Sequence, residues 1–177
     1  AEENYKSISR GGGKLNMGIL VTGANGFVGG ALCVRLKAEG RNLRCAIRTP
    51  AQSEDSVPVG EIGPGTQWGE ALHEVDSVIH TAARAHTTKD EVPDPLAEYR
   101  KVNVEGTLNL ARQAAQAGVK RFIFISSIGV NGNQSTTPFT AQDTPAPHDL
   151  YAISKYEAEQ ALQQLAEETA MEVVIIR

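Results

Sequence analysis

Tyr151 and Lys155 lie four residues apart in Tyr151-Ala152-Ile153-Ser154-Lys155, near the start of a stretch with helical periodicity. Residues at that spacing share a helix face, so the phenol and the ammonium project together. A free phenol titrates near ~10 and is a poor base at neutral pH. A neighbouring cation favours the phenolate and makes it a usable general acid/base. Upstream, the apolar run Phe122-Ile123-Phe124-Ile125 delivers Ser126-Ser127 to its end, where a hydroxyl can bind a substrate oxygen. Ser127 is preferred over its neighbour for that task. Asn103 falls inside a long helical stretch, an unfavourable place for a backbone-competing amide unless it has a task.

A second group of residues suits a phosphate. In Leu20-Val21-Thr22-Gly23-Ala24-Asn25-Gly26-Phe27-Val28-Gly29-Gly30 an apolar run enters a glycine-rich turn and leaves as a periodic apolar segment. A strand that turns sharply into a helix leaves the helix's first N–H groups unpaired and aimed at one spot, which the macrodipole makes positive. Gly23, Gly26 and Gly29 permit the tight turn, close approach to a ligand and close helix–strand packing, at a spacing of G-x-x-G-x-x-G. Arg48, His80-Thr81-Ala82-Ala83 and Ser126-Ser127 follow strand ends and, with the glycine turn, are expected to face one crevice. His80 reads as a core residue, and His73, His86 and His148 show no ligand spacing, so no metal site is expected.

The elements that must position these residues alternate. Strands are expected at Gly18–Thr22, Leu43–Ile47, Glu61–Ile62, Ser77–His80, Arg121–Ile125 and Glu172–Ile176. Helices are expected at Gly26–Glu39, Thr66–Glu74, Pro95–Ala117 and Leu150–Thr169, with Gly40 and Gly118 at C-terminal caps. Residues 131–149 read as a long loop. Apolar strands alternating with amphipathic helices predict a doubly wound parallel sheet, an α/β fold of the Rossmann-like, three-layer α/β/α kind. Ligands in such sheets lie outside the carboxyl ends of the strands.

The 177 residues, 41% apolar and 21% charged, carry a net charge of −4, which gives no reason to expect a nucleic-acid partner. No apolar run reaches the roughly twenty residues of a membrane span, and no signal peptide is visible, so a cytoplasmic protein is expected. Cys33 and Cys45 read as small buried residues in a reducing compartment. Residues 1–16 read as a leader or expression-tag-like extension and residues 17–177 as the dinucleotide-binding domain, with most of a C-terminal substrate domain lacking.

Thr22-Gly23-Ala24-Asn25-Gly26-Phe27-Val28-Gly29, Asn103 in Asn103-Val104-Glu105-Gly106-Thr107, Ser127 and the Tyr151/Lys155 pair, in this order, resemble the extended short-chain dehydrogenase/reductase family. More narrowly they resemble its nucleotide-sugar epimerase/dehydratase branch. The resemblance implies that Tyr151 is the acid/base, that Lys155 lowers its pKa and holds the nicotinamide ribose, and that Ser127 binds the reacting sugar oxygen. It implies that Asn103 completes the set through a helix-bending water site. It further implies NAD or NADP at Gly23, Asn25, Gly26, Phe27, Val28, Gly29, Glu61, Ile62, Thr81, Ala82 and Ala83, and a homodimer built through the helices near 95–117 and 150–169.

Two departures narrow this. NAD-preferring relatives carry an acid after the second strand, whereas Ala46-Ile47-Arg48-Thr49 has an arginine that can pair with a 2′-phosphate, a lean toward NADP. Val130-Asn131-Gly132 replaces the more usual Val-Tyr-Gly, as in a subgroup acting on UDP-N-acetylhexosamines for surface polysaccharides. The expected activity is 4-epimerisation or 4-keto reduction of a nucleotide-diphosphate sugar, a UDP-hexose or UDP-N-acetylhexosamine. The rival is a non-catalytic NAD(P) sensor.

Overall fold

The computed structural model describes residues 18–49, 53–85 and 93–177. The leader expected at 1–16 and the reading of His86 lie outside the described residues. Six strands, β1 (Gly18–Thr22), β2 (Leu43–Ile47), β3 (Ser56–Pro58), β4 (Val75–His80), β5 (Arg121–Ile125) and β6 (Glu172–Ile176), form one sheet in the order β3-β2-β1-β4-β5-β6. Every pairing is parallel. The helices are α1 (Phe27–Ala38), α2 (Pro95–Arg100), α3 (Thr107–Gln116) and α4 (Leu150–Glu168). The doubly wound α/β fold is the one the alternation predicts.

Register explains which side chains meet. Leu20 pairs with Val78 and Thr22 with Ala46 and His80, while Val78 pairs with Phe122 and His80 with Phe124. One sheet face therefore presents Leu20, Ala46, Val78, Phe122 and Phe124, buried against Leu110, Ala111 and Ala114 of α3 and Ala158, Leu162 and Leu165 of α4. This is the main core, where solvent exclusion contributes about 1.5–3 kcal/mol per large apolar side chain. On the opposite face α1 covers β1 and β2, where Val21, Leu43 and Ile47 are buried. Farther along that face Ile79, Ile123, Ile125 and Val174 are only half-buried and Ile176 is 49% exposed. Right-handed crossovers require this division, because the chain leaves β1 leftward through α1 and rightward through the other helices.

Cys33 of α1 and Cys45 of β2 are free, half-buried thiols 3.4 Å apart, and Cys45 donates to Cys33. Burial, with the Cys33 sulfur adding to it, pushes the Cys45 thiol up to about 12.

Three expected elements differ. The edge strand is Ser56–Pro58 rather than Glu61–Ile62, pairing Cys45 with Ser56 and Ile47 with Pro58. A proline in so short a run argues against a strand, yet an edge strand tolerates it. Thr66–Glu74 is not a helix but a series of turns, closed by bonds such as His73 N–H to the Glu70 carbonyl. Its Trp68, Ala71 and Leu72, with Val75 at the start of β4, are all buried at helical spacing, so burial followed the pattern while Gly63, Pro64, Gly65 and Gly69 kept the backbone irregular. The helix expected at Pro95–Ala117 is interrupted by a π-helical turn at Lys101–Gly106 that contains Asn103.

His80 is fully buried between Thr22 Oγ1 (2.6 Å from Nδ1) and Thr107 Oγ1 (2.9 Å from Nε2) and stacks on Phe124. It is the satisfied core histidine expected. Burial, helped by the Lys155 ammonium, pushes it down from 6.5 to about 3. The unfolded chain therefore takes up a proton near pH 6.5 that the fold refuses until about pH 3, so this contribution to stability is complete above that window and is lost as pH falls through it. His80→Gln should flatten the acid slope of the urea midpoint between pH 6.5 and 4.5, followed by circular dichroism; an unchanged slope would assign it to other groups.

Candidate functional site

The strand order reverses at β1, whose neighbours are β2 and β4, and their carboxyl ends open a crevice there. Thr81 Oγ1 donates to the Thr22 carbonyl (2.6 Å) and Ala82 N–H donates to Thr22 Oγ1 (3.3 Å), which docks the chain after β4 against the turn after β1. That docking leaves no room for side chains. Gly23 has φ +67°, and a Cβ on it would lie 2.7 Å from Thr81 Oγ1. A Cβ on Gly29 would lie 2.2 Å from the Gly23 carbonyl oxygen.

Helix α1 starts from Gly26, which offers no side-chain cap, and has no acidic residue in its first turn. Its leading N–H groups and positive dipole end therefore face the crevice, as an anion site requires. The groove, about 970 Å³, is lined by 23–29, Arg48, Glu61, Ile62, Thr81, Ala82, Ala83 and Arg84 among others. The candidate cofactor residues Gly23, Asn25, Gly26, Phe27, Val28, Gly29, Arg48, Glu61, Ile62, Thr81, Ala82 and Ala83 thus share one surface. Phe27 stands 96% exposed over it. Arg48 Nε lies 3.2 Å from Glu61 Oε1, an exposed ion pair at the end of β2. Asn109 and Gln113 of α3 donate amide hydrogens to the Gly63 and Thr66 carbonyls and fix the loop carrying Glu61-Ile62.

Asn103 joins this groove to α4. Its carbonyl oxygen accepts from Arg84 N–H (2.8 Å), and its amide donates to the Arg84 carbonyl (3.1 Å) and to Ser154 Oγ (3.0 Å). Ser154 in turn donates to the Tyr151 carbonyl (2.7 Å). Asn103 lies in the π-helical turn, and its side-chain hydrogen bonds go to protein groups.

Helix α4 begins at Asp149, whose carboxylate accepts from Ala152 N–H (2.7 Å), so Tyr151 and Lys155 fall in its first turns. Tyr151 packs edge-on to Tyr99, ring centroids 6.3 Å apart, and the Arg84 guanidinium lies 5.9 Å over Tyr99. Lys155 is 1% exposed, its Nζ 3.8 Å above the Phe124 ring. Burial draws it down from 10.5 to about 7, partly opposed by the Glu159 carboxylate. The Tyr151 phenol shifts up, not down as expected from an adjacent ammonium: burial dominates, and the Asp149 charge and Tyr99 add to it. The physical reason is that burial of the phenol penalises its charged form, and no contribution from Lys155 offsets it.

Ser127 is half-exposed and its Oγ accepts from Gly129 N–H (3.1 Å), closing a short 3₁₀ turn at Ile128–Val130. Gly129 brings that turn to the first turn of α4, where its Cβ would be 3.4 Å from the Ala152 methyl. Ser126 is buried and donates instead to Glu159, whose carboxylate also accepts from Arg177 Nε (3.1 Å) and Nη2 (2.7 Å). Ser154, Glu159 and Arg177 were not singled out from sequence. The spacing of Glu159, one further turn along the Tyr151–Lys155 face within the buried stripe Ala152, Lys155, Ala158, Leu162, was the available signal. Among the described residues no cluster of His, Cys, Asp or Glu is arranged to hold a metal.

A parallel sheet in this order, with a glycine turn and a bare helix N-terminus at its switch point, defines a Rossmann-like α/β domain. The chain belongs to the NAD dependent epimerase/dehydratase family, which matches residues 19–177. It is 45% identical over 169 residues to a UDP-glucose 4-epimerase of Vibrio cholerae, covering 93% of this chain and 52% of that protein. It is 32% identical to a dihydroflavonol 4-reductase of Hordeum vulgare, over 89% of this chain and 51% of the relative. Among solved structures it is similar to MoeE5 in complex with UDP-glucuronic acid and NAD, with TM-score 0.78, 28% identity and coverage of 90% of this chain and 53% of the other. The chain spans about half the length of these relatives. No described helix is long and apolar enough to cross a membrane.

Gly29→Ala should displace the turn, because its Cβ would overlap the Gly23 carbonyl. Calorimetric titration with NADH should show at least about tenfold weaker binding, some 1.4 kcal/mol, with the circular dichroism spectrum unchanged. Undiminished binding would place the dinucleotide elsewhere.

Proposed function

We propose that the protein containing this chain is a nucleotide-diphosphate-sugar 4-epimerase or 4-keto reductase. The observation that carries the reading is Asn103, which links Arg84 on the wall of the glycine-turn groove to Ser154 on α4, between Tyr151 and Lys155 in the chain. The space left by Gly23 and Gly29 and the uncapped α1 terminus fit a pyrophosphate. A nicotinamide dinucleotide bound there would supply the hydride acceptor or donor that this chain's side chains lack.

The chain's own residues then divide the remaining work. Ser127 Oγ orients the sugar oxygen, and Tyr151 Oη takes its proton as the sugar carbon is oxidised or returns it on reduction. The Lys155 ammonium stabilises the developing phenolate, and it would hold the ribose of a bound dinucleotide. Asn103 and Ser154 hold the Tyr151 backbone. The similarity to a UDP-glucose 4-epimerase supports epimerisation of a UDP-hexose, and Val130-Asn131-Gly132 supports the UDP-N-acetylhexosamine alternative. A reductase is favoured only by Arg48 and the more distant reductase relative. A non-catalytic sensor would need the groove but not Tyr151 and Lys155 together.

For the dinucleotide, Arg48 supports NADP, while its pairing with Glu61 and the NAD held by the similar structure support NAD. Parallel titrations with NADH and NADPH decide: tighter NADPH binding that Arg48→Ala abolishes establishes the phosphate contact, and tighter NADH binding removes it. In the whole protein, Tyr151→Phe should lower turnover of UDP-glucose or its N-acetyl counterpart by about 10²–10⁴-fold while dinucleotide binding persists. Near-normal turnover in that variant would overturn the catalytic reading.

A further inference from the structure

Glu159 is 1% exposed on α4, one turn beyond Lys155. A carboxylate so deep needs compensating partners, and it has two, Ser126 and Arg177. Ser126 donates to Glu159 Oε1 from the residue after β5. Arg177, the residue after β6, closes a fork on the carboxylate, with Nε at 3.1 Å and Nη2 at 2.7 Å. Ser126 is also pinned through its backbone, its N–H donating to the Ile176 carbonyl at 2.7 Å. One side chain thus fastens the ends of β5 and β6 to α4, immediately beside Ser127.

On its other side Glu159 shares a helix face with Lys155, at the i, i+4 spacing, and its negative charge acts on that ammonium. The remaining titratable groups about Lys155 are Tyr151 on α4, Tyr99 on α2, His80 on β4 and, through Glu159, Arg177. Among them Glu159 is the carboxylate on the face of α4 that Lys155 occupies. We propose that Glu159 is a positioning residue for the acid/base site: it holds the Ser126–Ser127 strand end against α4 and supplies the counter-charge of the Lys155 ammonium. The inference rests on the catalytic reading for its meaning, though not for its test.

The test compares the titration of Lys155 in this chain, read from the ε-carbon signal by NMR and assigned by its loss in Lys155→Arg. Glu159→Gln keeps size and an acceptor for Ser126 while removing the charge, and should lower the Lys155 titration by about one pH unit, a tenfold loss of proton affinity. Arg177→Met frees the carboxylate and should shift Lys155 the opposite way. A purely structural clamp predicts otherwise: either variant, by loosening the core, would admit water and raise Lys155 toward its ordinary value. Should Glu159→Gln fail to fold, the double variant with Arg177→Met leaves neither charge unpaired, and Lys155 must titrate lower in it than in Arg177→Met alone. An upward or absent shift on removing Glu159 overturns the proposal. In the whole protein the alkaline limb of turnover should move down by the same amount with KM unchanged. If Tyr151→Phe stays active while Lys155 still shifts, the catalytic reading falls and the role of Glu159 toward Lys155 stands.

Discussion

The primary amide of Asn103 is the tie on which the two halves of this molecule depend. It meets both backbone groups of Arg84 on the groove wall and the hydroxyl of Ser154 on α4. An ordinary helix brings its side chains past at a fixed pitch; the π-helical turn shifts Asn103 out of that pitch and turns it inward, where it is 1% exposed. Buried amides are costly unless every polar atom is matched, and here each is. The distance between the glycine turn and Tyr151 is thereby set by hydrogen bonds of known length rather than by loose side-chain packing.

Burial is the second organising influence, and it works on both members of the acid/base pair. It makes the Lys155 ammonium easier to discharge and the Tyr151 phenol harder to ionise. The two move apart in proton affinity, the amine falling from 10.5 to about 7 while the phenol rises from 10, so the phenol is the group that keeps its proton at neutral pH. A charge entering the groove from a ligand tips this balance more than it would in a solvated site, because the surroundings are apolar.

Much of this was legible in the residues. Gly23, Gly26 and Gly29 can only mean a backbone approached closely, and Tyr151 and Lys155 share a helix face whatever the tertiary structure. What the pattern could not carry was backbone detail under a correct burial pattern. Trp68, Ala71 and Leu72 are buried at helical intervals on a chain of turns, and Pro58 hides an edge strand. Asn103 announced an irregularity without its geometry. Glu159 was missed because a single acid in a helix reads as solvated unless the stripe it belongs to is traced for three turns. The downward shift expected for Tyr151 failed because spacing gives proximity and says nothing of how deeply each group is sunk.

The second face of the sheet has a colloidal consequence. Ile79, Ile123, Ile125, Val174 and Ile176 form a continuous aliphatic strip beyond the reach of α1, ending at β6, an edge strand of Glu-Val-Val-Ile-Ile. Wetting such a strip costs about 25 cal/mol for each Å². Its β-branched, proline-free edge also offers unpaired backbone groups to any strand that arrives. In this chain, then, the edge at β6 rather than the groove is the surface that favours strand-to-strand association.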